Sequence, residues 1–332
     1  MTELRNEFPL VSVGLPVYNG EATITRAIES ILHQDYPNIE LVISDNGSTD
    51  RTIEILGELT RNHTNIRVHR SSVNRGWTWN ANQVFELSRG EYFLWAADDD
   101  FYEFNFISSA IKKLESYPSA VMCHPKTKSI VEGSDEIIWR SSLVTFSGMI
   151  DVRERYKETI QNFPAVAFYG VYRSKLLRSV GTLANIIGSD VVFMQKLSLY
   201  GGFISTDHEL FTRVIRTTWN TREQNLKSYS GTSIKVSRFT VRYQSLKQKI
   251  LDINKTQFSY LLKSQLIGLA LIWEIRSILI KSLSRIIINS TPECFTKIVA
   301  NYLYSRFFSN ENVLPENKAL FFSRIILPTL SR

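Results

Sequence analysis

Between residues 11 and 100, short β-rich runs alternate with stretches of helical period, and the last run ends in three consecutive aspartates, Asp98-Asp99-Asp100. Such alternation specifies a mostly parallel sheet with crossover helices, an α/β fold, because parallel strands cannot be joined by a tight hairpin. Val11 to Leu15 reads as the first strand, ended by Pro16, and Glu21 to His33 as a helix with Ala22, Ile24, Ala27, Ile28 and Ile31 on one broad face. Ile39 to Ser44 is the second strand. Asp45-Asn46-Gly47-Ser48 is turn chemistry, with Ser48 or Thr49 placed to cap a helix running to about Thr60. Ile66 to His69 reads as a third strand, Thr78 to Leu87 as a helix after Gly76, and Tyr92 to Ala96 as a fourth, buried strand leading into the aspartates.

Beyond residue 100 the pattern loosens. A helix is expected at Asn105 to Ser116, with strands at Ala120 to His124, Glu136 to Arg140 and Phe168 to Arg173. Asp190 opens a helix with apolar Val191, Phe193, Met194, Leu197 and Leu199, which ends at Gly201-Gly202. The last third reads as helices.

Charge divides the chain. Residues 221 to 332 hold 17 Lys and Arg against 6 Asp and Glu, a net +11, which leaves −4 for residues 1 to 220 within a total of +7. A basic tail of this kind suits anionic lipid, nucleic acid or a phosphorylated substrate. Its cations are scattered among apolar positions, without the stacked aromatics or helix-turn-helix context of a base reader, so nucleic acid is not expected. The stretch Tyr260 to Asn289 is interrupted by Lys263, Glu274, Arg276, Lys281 and Arg285, too many charges for a span of about 20 apolar residues. On a helical wheel Lys263, Glu274, Lys281 and Arg285 share one sector, giving an amphipathic helix with a mostly cationic face. It can pack on the rest of the chain or lie on an anionic membrane surface. The start, MTELRNEFPL, has no basic segment followed by an apolar core, and Cys123 and Cys294 have no Cys or His at metal-ligand spacing. A cytoplasmic setting is expected, with peripheral contact at the inner face of the membrane left open.

The chemistry concentrates at strand ends. Three adjacent carboxylates repel one another unless a cation sits among them, and oxygen-only ligands suit Mg²⁺ or Mn²⁺, held by one or two carboxylates and substrate phosphates. Asp98, Asp99 and Asp100 are the candidate metal residues. Pro16-Val17-Tyr18-Asn19-Gly20-Glu21 and Asp45 to Asp50 supply two more polar loops at neighbouring strand ends, where ligands of open α/β sheets collect. A diphosphate carrying a nucleoside fits such a crevice. Five histidines, none in an i, i+4 pair, exclude a His-Glu-x-x-His zinc hydrolase.

The run Val11 to Asp100 resembles the nucleotide-sugar-binding half of the family 2 glycosyltransferases, which have the GT-A fold. The matching features are PVYNGE at 16 to 21, Ser30-Ile31-Leu32 with Gln34, Glu40 to Ser44 leading into DNGSTD at 45 to 50, Asn74, Gly76, and Gly90-Glu91-Tyr92 before the acidic triplet. The resemblance implies a glycosyltransferase domain over residues 1–220, with a nucleotide-sugar-binding half at 1–100 and an acceptor half at 101–220, followed by a basic, mainly helical region at 221–332. It implies Pro16, Tyr18 and Glu21 lining the nucleotide pocket, Asp45 accepting a hydrogen bond from the base, Ser48 and Asp50 shaping that loop, Asp98 at the ribose or metal, and Asp99 as principal metal ligand. Members commonly show Asp-x-Asp-Asp, where Ala97 stands first here, and Ala-Arg-Asn, where this chain has Asn80-Ala81-Asn82. Arg75, or Arg216 farther on, is the candidate to replace the missing arginine.

Inverting transfer needs a carboxylate to take the acceptor proton. Gly188-Ser189-Asp190 matches the family's base position, which makes Asp190 the expected catalytic base, ahead of Asp207 and Glu209. Trp77, Trp79 and Trp95 flank the crevice in sequence, and Tyr169, Tyr172 and Arg173 lie near the implied acceptor wall. The expectation is transfer of one sugar from a nucleoside-diphosphate sugar to a glycan or lipid-linked acceptor, as in cell-surface polysaccharide biosynthesis. A non-catalytic nucleotide-binding scaffold and a sugar nucleotidyltransferase are the alternatives; the latter wants a Gly-rich basic loop after the first strand, and PVYNGE is acidic.

Overall fold

The structure, a computed structural model, describes residues 8–141, 151–162, 165–215, 238–290 and 311–312. Arg216 and Cys294 lie outside them. A ten-stranded sheet runs in the order β10-β7-β6-β8-β4-β1-β2-β3. Its first half is parallel: β1 (Val11–Val17) lies between β2 (Ile39–Asp45) and β4 (Tyr92–Trp95), and β3 (Ile66–Arg70) follows β2. Helices α1 (Ile24–Leu32), α2 (Thr52–Asn62) and α3 (Trp77–Glu86) make the crossovers. Burial on both faces explains why β1 and β4 read as continuous apolar runs. In α1, Ile24, Ala27, Ile28 and Ile31 recur at i, i+3, i+4 and i+7 and are all buried.

The second half of the sheet mixes directions. β8 (Val171–Arg173) joins β4 antiparallel, β6 (Ala120–Val131) pairs antiparallel with β8 and with β7 (Ile137–Ser141), and β10 (Glu311–Asn312) edges β7. The long β9 (Gly202–Ile215) runs parallel to β6 and takes the short β5 (Phe101–Tyr102) antiparallel on its other side, with Phe101 opposite Thr212 and Tyr102 opposite Phe211. The acidic triplet leads directly into β5 and is therefore clasped by a strand more than a hundred residues away.

One apolar cluster lies under α1 and α4 (Phe106–Ser116), and a second, rich in aromatics, under α3, α6 (Ser174–Val180) and α7 (Ser189–Leu197). Trp95 centres the second. Its ring stacks on Phe168 at 4.7 Å between centroids, and its Nε1–H donates to the Ala81 carbonyl at 2.9 Å. A third cluster joins α5 (Val152–Asn162) and the end of α7 to α8 (Arg238–Asn254) and α9 (Tyr260–Ser290) through Tyr156, Ile160, Leu199, Ile253, Leu266 and Ala270.

Two expectations change. Phe168 to Arg173 is not one strand: a 3₁₀ turn covers Ala165–Tyr169, and only Val171–Arg173 pairs. Gly170 stands between the two, and a Cβ there would meet the Cys123 carbonyl at 2.7 Å. α2 begins at Thr52, and Asp50 Oδ1, rather than Ser48 or Thr49, accepts the Thr52 N–H at 3.1 Å. Two charges of α9, Lys263 and Glu274, are engaged within the chain. Glu274 pairs with Lys249 of α8 at 2.7 Å, Lys263 Nζ donates to the Asn254 carbonyl, and the exposed side carries Leu261, Ile272 and Ile275. Lys281 and Arg285 lie where side chains are not described. Among the described residues no helix is long and apolar enough to cross a membrane.

Candidate active site

A crevice of about 200 Å³ opens at the carboxyl ends of β1, β2 and β4. Pro16, Val17 and Tyr18 come from the end of β1, Asn46 from the end of β2, and Ala96 to Asp99 from the end of β4. Trp77 and Asn80 come from α3, and Phe168 with Tyr169 from the 3₁₀ turn. Tyr18 is 37% exposed, while Trp95 reaches the crevice from within the core, 1% exposed. Trp79 lies elsewhere, beneath the Arg75 guanidinium at 4.9 Å.

Of the residues expected from sequence, Pro16, Tyr18, Asp98 and Asp99 meet in this crevice. Arg26 donates to the Asp99 carbonyl at 2.7 Å and fixes the backbone there. Gly20 makes room for Asp98: a Cβ at Gly20 would stand 2.8 Å from Asp98 Oδ2. Asp100 turns the other way. Its side chain is buried and accepts the Val214 N–H at 2.8 Å, and loss of hydration, with the Asp99 charge second, pushes its pKa up to about 8. Asp100 is thus a tie to β9, which corrects its expected place among the metal residues. Among the described residues, no three His, Cys, Asp or Glu side chains are grouped to hold a metal.

Glu21, Ser48 and Asp50 do not line the crevice; they staple its two loops. Glu21 Oε2 accepts from the Arg51 N–H at 2.9 Å, Asp50 Oδ2 from the Glu21 N–H at 3.1 Å, and Ser48 Oγ from the Asn19 N–H at 2.9 Å. The Gly20 N–H adds a bond to Thr52 Oγ1. Asn19 adopts φ 55°, a left-handed conformation that Asn tolerates. Asp45 is fully buried, accepting the Ser48 N–H at 3.0 Å on Oδ1 with Arg70 Nε 3.2 Å from Oδ2. It anchors the second loop and is not presented to a base. Arg75 is exposed and stacked on Trp79, outside the crevice lining.

Asp190 sits in the first turn of α7, half-buried, one residue from Ser189, whose Oγ lies 3.2 Å from Thr78 Oγ1 beside the crevice residue Trp77. Burial raises its carboxyl pKa, opposed by the backbone N–H groups of Val191 and Asp190 itself. Asp207 and Glu209 are taken by Lys113 and Arg140. Tyr169 lines the crevice, whereas Tyr172 is core and Arg173 reaches the Ala120 and Leu114 carbonyls. Sequence reasoning passed over Asn80 and Phe168 as wall residues. Asn80 Nδ2 donates to the carbonyls of Val17 at 3.2 Å and Ser44 at 2.9 Å, tying α3 to two strand ends.

Known proteins resemble this arrangement. An uncharacterised glycosyltransferase of Haemophilus influenzae is 37% identical over 93 residues, 28% of this chain and 37% of that protein. Chondroitin synthase of Escherichia coli is 41% identical over 95 residues, 29% of this chain and 14% of that protein. The matches thus span well under half of these relatives. Among solved structures, S. aureus TarS 1-349 in complex with UDP-GlcNAc superposes with a TM-score of 0.60 at 19% identity, covering 80% of this chain and 73% of that one. The mannosyltransferase PcManGT of Pyrobaculum calidifontis, in complex with GDP-Man and Mn²⁺, gives 0.51 at 14% identity over 98% of this chain and 86% of that one. These likenesses show the GT-A fold. The sequence profile described as glycosyl transferase family 2 matches residues 12–181, more than half of the chain, and the chain belongs to that family.

Proposed function

We propose that the chain is a metal-dependent, inverting glycosyltransferase that moves one sugar from a nucleoside-diphosphate sugar to a glycan or lipid-linked acceptor, in cell-surface polysaccharide biosynthesis. The observation that carries this reading is the juxtaposition of Asp98 and Asp99 with Pro16 and Tyr18 in a crevice walled by Trp77, Phe168 and Tyr169. The crystallised neighbours named with UDP-GlcNAc, GDP-Man and Mn²⁺ support it.

The residues present fit a hard divalent cation. Asp98 and Asp99 offer carboxylate oxygens at one strand end, Gly20 leaves the space Asp98 needs, and these two carboxylates would hold a Mg²⁺ or Mn²⁺ together with the substrate diphosphate. When bound, the metal neutralises charge on the departing diphosphate. Tyr18 stacks on the base, and the stapled loops at 18–21 and 45–52 hold the shape of its pocket. Asp190 takes the proton of the acceptor hydroxyl as that oxygen attacks the anomeric carbon from the face opposite the leaving nucleoside diphosphate. Burial raises its pKa, which strengthens it as a base. The aromatic wall packs against C–H faces of a sugar and excludes water. Peripheral contact with an anionic membrane in the cytoplasm is supported by the +11 tail and by exposed Leu261, Ile272 and Ile275 on α9.

The test is calorimetry of UDP, GDP, dTDP and CDP, each with and without Mn²⁺, on wild type, Asp99→Ala and Asp100→Asn. One nucleotide binds wild type only with metal, Asp99→Ala loses that binding, and Asp100→Asn keeps it. Metal-dependent binding that survives in Asp99→Ala overturns the assignment.

A further inference from the structure

α3 holds, at both ends, the segment that leads into Asp190. Asn82 Nδ2 donates to the Leu183 carbonyl at 2.9 Å, and the Leu183 N–H returns a bond to Asn82 Oδ1 at 2.9 Å. Both ends of the amide are used, which fixes its orientation. One turn earlier on the same face of α3, Thr78 Oγ1 lies 3.2 Å from Ser189 Oγ. Thr78 and Ser189 are 2% and 1% exposed, so water does not compete for this bond.

The span between these pins has little regular structure to hold it. Residues 181–184 have none, and the segment is bounded by Gly181 at φ 86° and Gly188 at φ 73°, positions that other residues adopt only with strain. Its polar ties to the donor half include this pair on α3, beside Leu183 packed in the aromatic cluster. α3 is in turn locked to the carbonyls of Val17 and Ser44 through Asn80. A connected path therefore runs from the strand ends that shape the crevice, through three polar side chains of one helix, to the first turn of α7.

We infer that Asn82 and Thr78 are positioning residues that register the Asp190-bearing turn of α7 against the donor crevice. The inference rests on the proposed role of Asp190 as base. Neither side chain lines the crevice, so each acts on turnover through Asp190 and leaves donor affinity alone. A misplacement of about 1 Å at a reacting group can cost on the order of 10²-fold in rate.

The experiment compares wild type, Asn82→Ala, Thr78→Val, Thr78→Ser and Asp190→Asn by thermal melting and by calorimetric affinity for UDP and GDP with Mn²⁺. Turnover is read as UDP release from UDP-GlcNAc or GDP release from GDP-mannose. Expected are a kcat at least about tenfold lower in Asn82→Ala and severalfold lower in Thr78→Val, rescue in Thr78→Ser, and nucleotide affinity and donor KM within about twofold of wild type. Thr78→Val removes one hydroxyl at constant shape and keeps the test open if Asn82→Ala fails to fold. Unchanged kcat in folded Asn82→Ala and Thr78→Val, with turnover lost in Asp190→Asn, overturns the positioning role alone. Wild-type turnover in Asp190→Asn overturns the base assignment beneath it. Affinity and kcat falling together assign the pair to the donor site and also overturn the inference.

Discussion

Replacing Gly20 by alanine tests the metal reading with a single methyl group. The new Cβ would lie 2.8 Å from Asp98 Oδ2 and 2.7 Å from Val17 Cγ2, against about 3.5 Å for relaxed contact. Gly20 carries no positive φ, so its backbone accepts alanine. Val17 is packed in the core, whereas Asp98 presents the end of a rotatable side chain, so the carboxylate gives way by roughly 0.7 Å. Ligand distances in metal sites are held to about ±0.2 Å. Metal-dependent nucleotide affinity should therefore fall about tenfold, equivalent to ~1.4 kcal/mol, while metal-free binding stays as it was. Overpacking against Val17 costs about 1–3 kcal/mol of stability, a modest loss that a thermal melt will register. Calorimetry of UDP and GDP with and without Mn²⁺ is the assay. A folded Gly20→Ala protein that binds the Mn²⁺ nucleotide as tightly as wild type would refute the placement of Asp98 in the metal site.

Asp190→Asn should keep nucleotide affinity while kcat falls by roughly 10²-fold or more. Because only the ionised carboxylate accepts a proton, and burial raises its pKa, wild-type kcat should decline on the acid side at a pH above the ordinary Asp range of about 4, a limb that Asp190→Asn lacks. A wild-type acid limb at or below pH 4 contradicts the burial argument. Glu274→Ala should destabilise the packing of α8 and α9 by about 3 kcal/mol or more, because it strands Lys249, whose side chain is 4% exposed and whose Nζ lies 2.7 Å from Glu274. Hydrogen exchange at the amides of both helices measures that loss, and unchanged protection counts against it.

What could be read in the sequence was what short-range periodicity encodes. The strands β1 to β4 and the helices between them stand close to their expected places, since apolar spacing and turn residues act locally. The acidic strand end was visible for the same reason. Which of its carboxylates faces the crevice was not, because the answer depends on Val214, which reaches Asp100 from β9. Asp45 is similar: its burial is decided by the loop closing over it and by Arg70 on the next strand. Glu21, Ser48 and Asp50 stand out in the sequence, yet their partners are backbone N–H groups of the opposite loop, a pairing no linear spacing reveals. Phe168 was not legible as a wall residue because Phe168 to Arg173 has the composition of one strand, whereas a 3₁₀ turn runs through Tyr169 and only Val171–Arg173 pairs.

The long strand β9 sets a limit on how this protein can be cut. The family match ends at residue 181, and a fragment ending there would look complete by similarity alone. Such a fragment would lack α7 and the whole of Gly202–Ile215, leaving β6 with an open edge along ten residue pairings and β5 without its partner. The Asp100 carboxylate would lose the amide it is turned toward, and the neighbouring Asp98 and Asp99 would lose the anchor that ends their loop. An expression fragment that retains the acidic loop in its present shape has to extend at least through Ile215, and one cut short of it presents a raw strand edge to its neighbours in solution.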